Sequence, residues 1–174
     1  FNKRNGWLRV KSFKKLMLTK NSKIFIAGHN GMVGSAIFKQ LKRTGYKNIL
    51  TVSKKKLNLL DQNKVEIFIK KNRPKITIIA AARVGGILAN NNYKANFLYE
   101  NIMIQTNLIH ASYIAGVKNL IFLGSSCIYP KKSKQPIKEE YLLSGQLEKT
   151  NDAYAIAKIA GIKMCEVYSK QYNL

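Results

Sequence analysis

The sequence predicts a single α/β domain built on a doubly wound parallel sheet, and three observations point to it. From residue 23 onward, short apolar runs alternate with helix-length segments, the order that parallel strands and crossover helices require. The first run empties into a glycine turn that opens a helix. The length of 174 residues suits one domain with a real core.

Each element follows from local chemistry. "KIFIAG" (23–28) is a buried strand running into glycine, and "MVGSAIFKQLKRTG" (32–45) carries apolar residues at helical spacing before Gly45 stops it. "NILTVS" (48–53) reads as the second strand and "KLNLLD" (56–61) as a short third one. Asp61 is placed to cap the helix "QNKVEIFIKKN" (62–72), which Pro74 closes before the fourth strand, "ITIIAAA" (76–82). The segment "RVGGILANNNYKAN" reads as a loop, leading to a long helix over 97–116 and a fifth strand, "NLIFLGSS" (119–126). A polar loop containing Pro130 and Pro136 then precedes a last helix around "AYAIAKIAG" (153–161). Residues 1–20 are basic, contain no acid and precede the first strand. They read as a leader outside the fold, with Met17 as the natural start and 21–174 as the domain.

The formal net charge is +23, made of 26 Lys and only 5 Arg alongside 20 Ile and 17 Asn. That make-up reads as compositional drift rather than selection for phosphate contacts, and few aromatics are interleaved with the basic residues. Specific nucleic-acid binding is therefore not expected. No apolar run approaches a membrane span. Two cysteines, Cys127 and Cys165, are too few for a disulfide framework. With no secretory signal, a reducing cytoplasm is the expected compartment.

Three places carry chemistry. In "GHNGMVG" the glycines fall at 28, 31 and 34 between a strand and a helix. That context favours a dinucleotide pyrophosphate, because glycine lets the backbone approach and the helix start supplies N–H groups. A cofactor with a free ribose 2′-hydroxyl usually meets an acid about 20 residues on. Here the second strand ends in "SKKK" (53–56), with no acid in the first 60 residues. Lys54 and its neighbours suit a 2′-phosphate instead, so NADP(H) is expected over NAD(H). The fifth strand ends in "GSSCIYP" (124–130), where an open parallel sheet binds its ligands. Ser125 can hydrogen-bond a carbonyl there. Cys127 can exchange a proton on the adjacent carbon or simply fill space as a small buried hydrophobe.

Tyr154 and Lys158 lie four apart on one helix face. An ammonium beside a phenol favours the phenolate, which would bring Tyr154 nearer to acid/base work at neutral pH. The plain alternative is a surface Tyr and a solvated Lys. His29 sits in the glycine loop, where it touches phosphate or faces solvent. His110 reads as a packed helical residue. Neither has metal-ligand company, so no metal site is expected.

Together the glycine loop, Ser125 and the Tyr154-x-x-x-Lys158 pair resemble the extended short-chain dehydrogenase/reductase family, whose domain is a Rossmann-type sheet. The resemblance implies Tyr154 as acid/base, Lys158 as the ribose ligand that lowers the Tyr pKa, and Ser125 as the group that orients the substrate oxygen. "FIAGHNGMVGSAI", "AARVGGILANN", "FLGSSCIYP" and "YAIAKIAGIK" are similar, more narrowly, to family members that epimerise and then reduce GDP-linked 4-keto-6-deoxy sugars. That likeness runs from about Lys23 to the last residue. It implies Cys127 as the epimerisation acid/base and a GDP-sugar substrate, in a homodimer of the whole protein. NADP contacts are implied at Gly28, His29, Asn30, Gly31, Met32, Val33 and Gly34. Further contacts are implied at Lys54, Lys55, Lys56, Leu57, Asn58 and Leu59, and at Leu123, Gly124, Ser125, Ser126 and Lys158.

The departures from the family pattern are specific. Asn30 and Lys54 stand where the family often carries Arg, so the 2′-phosphate would meet a point charge without a bidentate fork. The family's second epimerisation group is a His beyond the Tyr/Lys helix, and no His follows His110 here. The last strands of the sheet and the sugar-binding domain are expected beyond residue 174. Another nucleotide-sugar epimerase or dehydratase, or a non-catalytic NADP-binding module, remains a competing reading.

Overall fold

In the computed structural model, which describes residues 18–172, four strands lie parallel in the order β2-β1-β3-β4. They are β1 (Ile24–Ala27), β2 (Ile49–Leu50), β3 (Ile76–Ile79) and β4 (Leu120–Phe122). The register sets Ile24 beside both Ile49 and Ile76, and Thr77 beside Leu120. Every residue of β1 and β3 is buried, the expected result when helices cover both faces of a parallel sheet.

Side-chain alternation sorts the core into two layers. Ile24, Ile26, Ile76 and Ile78 point to one face, where Ile37, Phe38 and Leu41 of α1 (Met32–Arg43) cover them. Phe25, Ala27 and Ile79 point to the other face. There they meet Val65 and Ile69 of α2 (Gln62–Asn72) and Leu108 and Ala111 of α4 (Lys94–Ile114). α5 (Asp152–Tyr172) packs along α4 on that side through Met164, Cys165 and Tyr168. The layers are unequal: Ile121 on β4 is 45 % exposed among the described residues.

The strand expected over 56–61 is not formed. The amides of Lys56 and Leu57 both bond to the Ser53 carbonyl at 3.0 Å, and the Asp61 amide bonds to the Asn58 carbonyl at 3.1 Å. Two successive turns therefore replace the strand. Leu57 is still buried, and Asn107 of α4 donates to the Leu59 carbonyl at 2.9 Å. The apolar spacing served to pack a loop under α4 rather than to extend a sheet. The other runs shorten to a ladder core, because the residues after it turn away into the cleft. The loop expected over 83–96 contains a helix of its own, α3 (Ile87–Asn92), and α4 begins at Lys94, before the expected start.

The cap at Asp61 forms as expected, its carboxylate accepting from the Lys64 amide at 3.0 Å. Arg73 then ends α2 in the left-handed region, with φ 40°. Of the basic leader, residues 1–17 with Met17 lie outside the described residues. Its last three are held by the fold. Leu18 packs against the α1-side core, Lys20 Nζ donates to the Thr44 carbonyl at 2.6 Å, and the Lys20 carbonyl accepts from the Lys47 amide at 2.8 Å. The folded body thus includes residues 18–20.

The unequal layers give a direct contrast in stability. Ile79→Ala, in the fully buried layer, should cost about 2–5 kcal/mol. Ile121→Ala, on the open face, should stay within about 0.5 kcal/mol of wild type. Urea unfolding of the two variants beside wild type measures both.

Candidate active site

Parallel strands release their chains at one edge, and the predicted site residues after β1, β2 and β4 leave the sheet there, while α5 carries Tyr154 and Lys158. After β1 the chain turns at Gly28, whose φ of +87° suits glycine. A Cβ on Gly28 would also lie 2.5 Å from the Ala81 amide nitrogen. A Cβ on Gly34 would lie 2.1 Å from the Gly28 carbonyl oxygen. The first turn of α1 is thus pressed onto the loop, and no side chain fits between them. Gly31 is the N-cap residue and has no side-chain cap, and no acid lies in the first turn. The opening amides of α1 therefore remain available to an anion, with the helix dipole behind them. Met32 and Val33 are exposed at this mouth. His29 is half-buried and its ring makes no hydrogen bond among the described residues.

Lys54, Lys55 and Lys56 are exposed in the turn after β2, as is Asn58, while Leu57 belongs to the core. Leu57 can therefore serve a cofactor through its backbone but not its side chain. The loop after β3 forms the opposite wall, its Ala80 amide bonded to the Ala27 carbonyl at 2.9 Å.

After β4, Leu123 and Gly124 lead to Ser125, the N-cap of a 3-10 turn over Ser126–Ile128. Ser125 Oγ accepts from the Cys127 thiol at 3.2 Å and from the Cys127 amide at 3.5 Å. From the other side α5 brings the phenol of Tyr154, near enough that the Ser125 side chain favours its ionised form. Ser125 thus stands between a thiol that it bonds and a phenol whose ionisation it affects.

Lys158 is buried, and its Nζ donates to the Leu123 carbonyl at 2.9 Å. The ammonium stands 4.6 Å from the Phe122 ring centroid and 5.9 Å from that of Tyr154. This arrangement corrects the expectation that Lys158 lowers the Tyr154 pKa. Burial pushes the Tyr154 phenol up, a negative charge on Cys127 pushes it the same way, and the nearby Ser125 side chain only partly opposes them. Burial also pushes the Lys158 ammonium down. At neutral pH Tyr154 is therefore a protonated acid, held ready to donate.

His110 is packed as expected. Its Nδ1 lies 2.9 Å from the Tyr168 hydroxyl, within a cluster that includes Tyr113 and Tyr172. Burial pushes the Cys165 thiol up to about 11. Among the described residues, no group of three or more His, Cys, Asp and Glu side chains could hold a metal ion. No helix there is long and apolar enough to cross a membrane. An open cavity of about 620 Å³ between two limbs of the loop before α5 is lined by Pro130, Lys131, Tyr141 and Glu148, among others. It shares no lining residue with the Ser125 cluster.

Sequence reading missed Asn101 on α4, 2 % exposed. Its Oδ1 accepts from the Arg83 amide at 2.9 Å and its Nδ2 donates to the Arg83 carbonyl at 3.0 Å. It thereby pins the loop that forms the wall opposite the glycine turn. The available signal was a polar residue one helical turn after Phe97, on the face that also carries Gln105 and Leu108.

Comparison with known proteins places these residues in context. The model of the NAD dependent epimerase/dehydratase family matches residues 24–174. The chain is 55% identical over 151 residues to the GDP-L-fucose synthase of Escherichia coli (strain K12), covering 87% of this chain and 47% of that one. It is 53% identical over 157 residues to GDP-L-fucose synthase 1 of Arabidopsis thaliana, covering 90% and 49%. Among solved structures, a GDP-D-glycero-L-gluco-heptose synthase from Campylobacter jejuni, crystallised in the presence of NADPH, superposes with a TM-score of 0.87 at 42% identity, covering 90% and 46%. The chain spans about half the length of the relatives it matches.

Two outcomes follow from the site's electrostatics. A thiol with a pKa near 11 is ionised only to about 0.1% at pH 8, so Cys165 should resist alkylation. Cys127→Ser should then remove nearly all fast iodoacetamide labelling, as read by mass spectrometry. The raised Tyr154 pKa gives stability that is present below about pH 10 and is lost as pH rises through the higher folded value. Tyr154→Phe should therefore lose less stability than wild type between pH 9 and pH 11, measured by urea unfolding.

Proposed function

This chain belongs to the NAD dependent epimerase/dehydratase family, and we propose that it provides the cofactor half and reduction centre of a GDP-L-fucose synthase. The reaction would convert GDP-4-dehydro-6-deoxy-D-mannose to GDP-L-fucose, by epimerisation at C3 and C5 and then reduction at C4, with NADP(H). The observation that carries this reading is the Ser125 hydroxyl, bonded to the Cys127 thiol and standing near enough to the Tyr154 phenol to act on its ionisation. A reductase alone needs the phenol. A thiol beside it adds a group that can move protons on carbon. The Escherichia coli and Arabidopsis thaliana fucose synthases, at 55% and 53% identity, are also more similar to this chain than that heptose synthase is at 42%.

The cofactor fits the residues present. The cradle formed by Gly28 and Gly34 admits no side chain, and the uncapped start of α1 suits a pyrophosphate. Residues 28–34, 54–59 and 123–126 would hold it, together with Lys158. Lys54, Lys55 and Lys56 attract a 2′-phosphate as point charges. The reduced nicotinamide, when bound, supplies the hydride for C4.

The chain's own residues handle protons. Ser125 donates to the C4 carbonyl oxygen and so acidifies the hydrogens on C3 and C5. The Cys127 thiolate takes one of those protons, and an acid outside residues 18–172 returns a proton to the opposite face. In the reductive stage Tyr154, protonated by virtue of its burial, gives its proton to the C4 oxygen as the hydride arrives. Lys158, seated on the Leu123 carbonyl, presents its remaining N–H donors to the cofactor ribose. The two free cysteines are consistent with a reducing cytoplasm. Exposed Tyr99 and Ile114 on α4 and Val167 on α5 suit a homodimer of the whole protein.

The cofactor assignment is tested on this chain by titration calorimetry. NADPH should bind more tightly than NADH, and Lys54→Glu should weaken NADPH at least tenfold while changing NADH little. Equal binding of the two would overturn the preference. The substrate assignment is tested on the full-length protein. Cys127→Ser should abolish solvent-deuterium exchange into the keto-sugar and leave NADPH affinity unchanged, whereas unchanged exchange would exclude this reaction.

A further inference from the structure

The Tyr/Lys helix reaches the sheet through one narrow contact. At Gly161 on α5, an added Cβ would lie 2.5 Å from Phe122 Cζ and 2.8 Å from both Cδ and Oε1 of Gln105. Phe122 and Gln105 together fill the notch that Gly161 leaves. Gln105 is 3 % exposed, and its Nε2 donates to the Ala157 carbonyl at 2.6 Å, one residue before Lys158. Its Oε1 is buried and has no hydrogen-bond partner among the described residues.

That orphaned oxygen is the informative detail. A buried acceptor without a donor works against stability, and Met or Leu would fill a similar volume without it. A residue that breaks a packing rule with no compensating contact points to a function. The compensation here lies next door. Lys158 Nζ is held by the Leu123 carbonyl at 2.9 Å and sits 4.6 Å from the Phe122 ring centroid. Both partners stand at the end of β4, so the ammonium keeps its seat only while α5 keeps its height above that strand. Gln105 ties α4 to α5 one residue from Lys158 and packs on the notch one turn further along.

We infer that Gln105 is a positioning residue for Lys158, fixing α5 against β4 so that the ammonium stays at the cofactor cleft. The cofactor part of this inference rests on the NADP(H) reading above. The seating of Lys158 does not, and it has its own readout.

The experiment is a lysine titration by NMR on the chain labelled with 13C at the lysine Cε, with the Lys158 signal assigned by its loss in Lys158→Arg. In wild type, burial makes Lys158 titrate below the usual lysine range. In Gln105→Met that titration should move back toward the usual range, and NADPH affinity should fall about fivefold. The melting temperature should stay level or rise, since the orphaned oxygen is gone. Gln105→Leu provides a second variant should the first fold poorly. Leu108→Val should lower the melting temperature while leaving the Lys158 titration in place, which separates positioning from general loosening. A Lys158 signal that titrates in both Gln105 variants as in wild type overturns the inference. A shifted signal with unchanged NADPH affinity overturns it too, because the seat would then serve nothing in the cleft. If wild type binds no NADPH, the cofactor reading fails, and the lysine titration alone decides whether Gln105 positions Lys158.

Discussion

Four strands hydrogen-bonded in the same direction must all let go of the chain at the same edge. The chemistry of this protein depends on that geometric constraint. The glycine turn, the lysine turn, the wall pinned by Asn101 and the Ser125 loop are far apart in sequence. The ladder places their starting points side by side, about one strand spacing from one another. Helices on both faces then fix the heights. α1 is pressed onto Gly28 from one side, while α4 and α5 carry Asn101, Tyr154 and Lys158 in from the other.

Within the cleft, desolvation outweighs charge. Tyr154 and Lys158 are neighbours on one face of α5, and in water the ammonium would favour the phenolate. In the folded chain the ammonium is turned to the Leu123 carbonyl and the Phe122 ring. The phenol is left with Ser125 and Cys127, and burial disfavours its ionised form. The pair is therefore poised as a proton donor beside a restrained cation. A protonated phenol suits delivery of a proton to an alkoxide oxygen at neutral pH.

What was legible in the sequence is what local chemistry determines. Gly28, Gly31 and Gly34 between an apolar run and an amphipathic one left few alternatives to a strand, turn and helix. Asp61 before "QNKVEIFIKK" announced its own cap. Ser125 and Cys127 after an apolar run fell at the ligand edge because parallel sheets place their strand ends there. The strand misread over 56–61 shows the limit. Leu57 and Leu59 have the period of a strand, yet the Ser53 carbonyl captures two successive amides and the chain turns. Apolar spacing reports burial, and a packed turn buries residues as well as a ladder does. The direction of the Tyr154 shift was hidden for a related reason. Helical spacing brings two residues to one face but does not say which carbonyl the longer side chain will choose.

The aromatic cluster at the far end of the α4–α5 contact has a practical consequence. Tyr113 and Tyr172 stack with their ring centroids 4.1 Å apart, and Tyr168 meets both edge-on. Two of these rings belong to α5 and one to α4, so the arrangement exists only while the helices are docked. Rings fixed in this way add to the near-ultraviolet circular dichroism, a signal that vanishes when packing loosens even if helices persist. The protein thus carries an intrinsic optical gauge of the contact that seats its buried lysine, and the gauge needs neither a label nor a bound ligand.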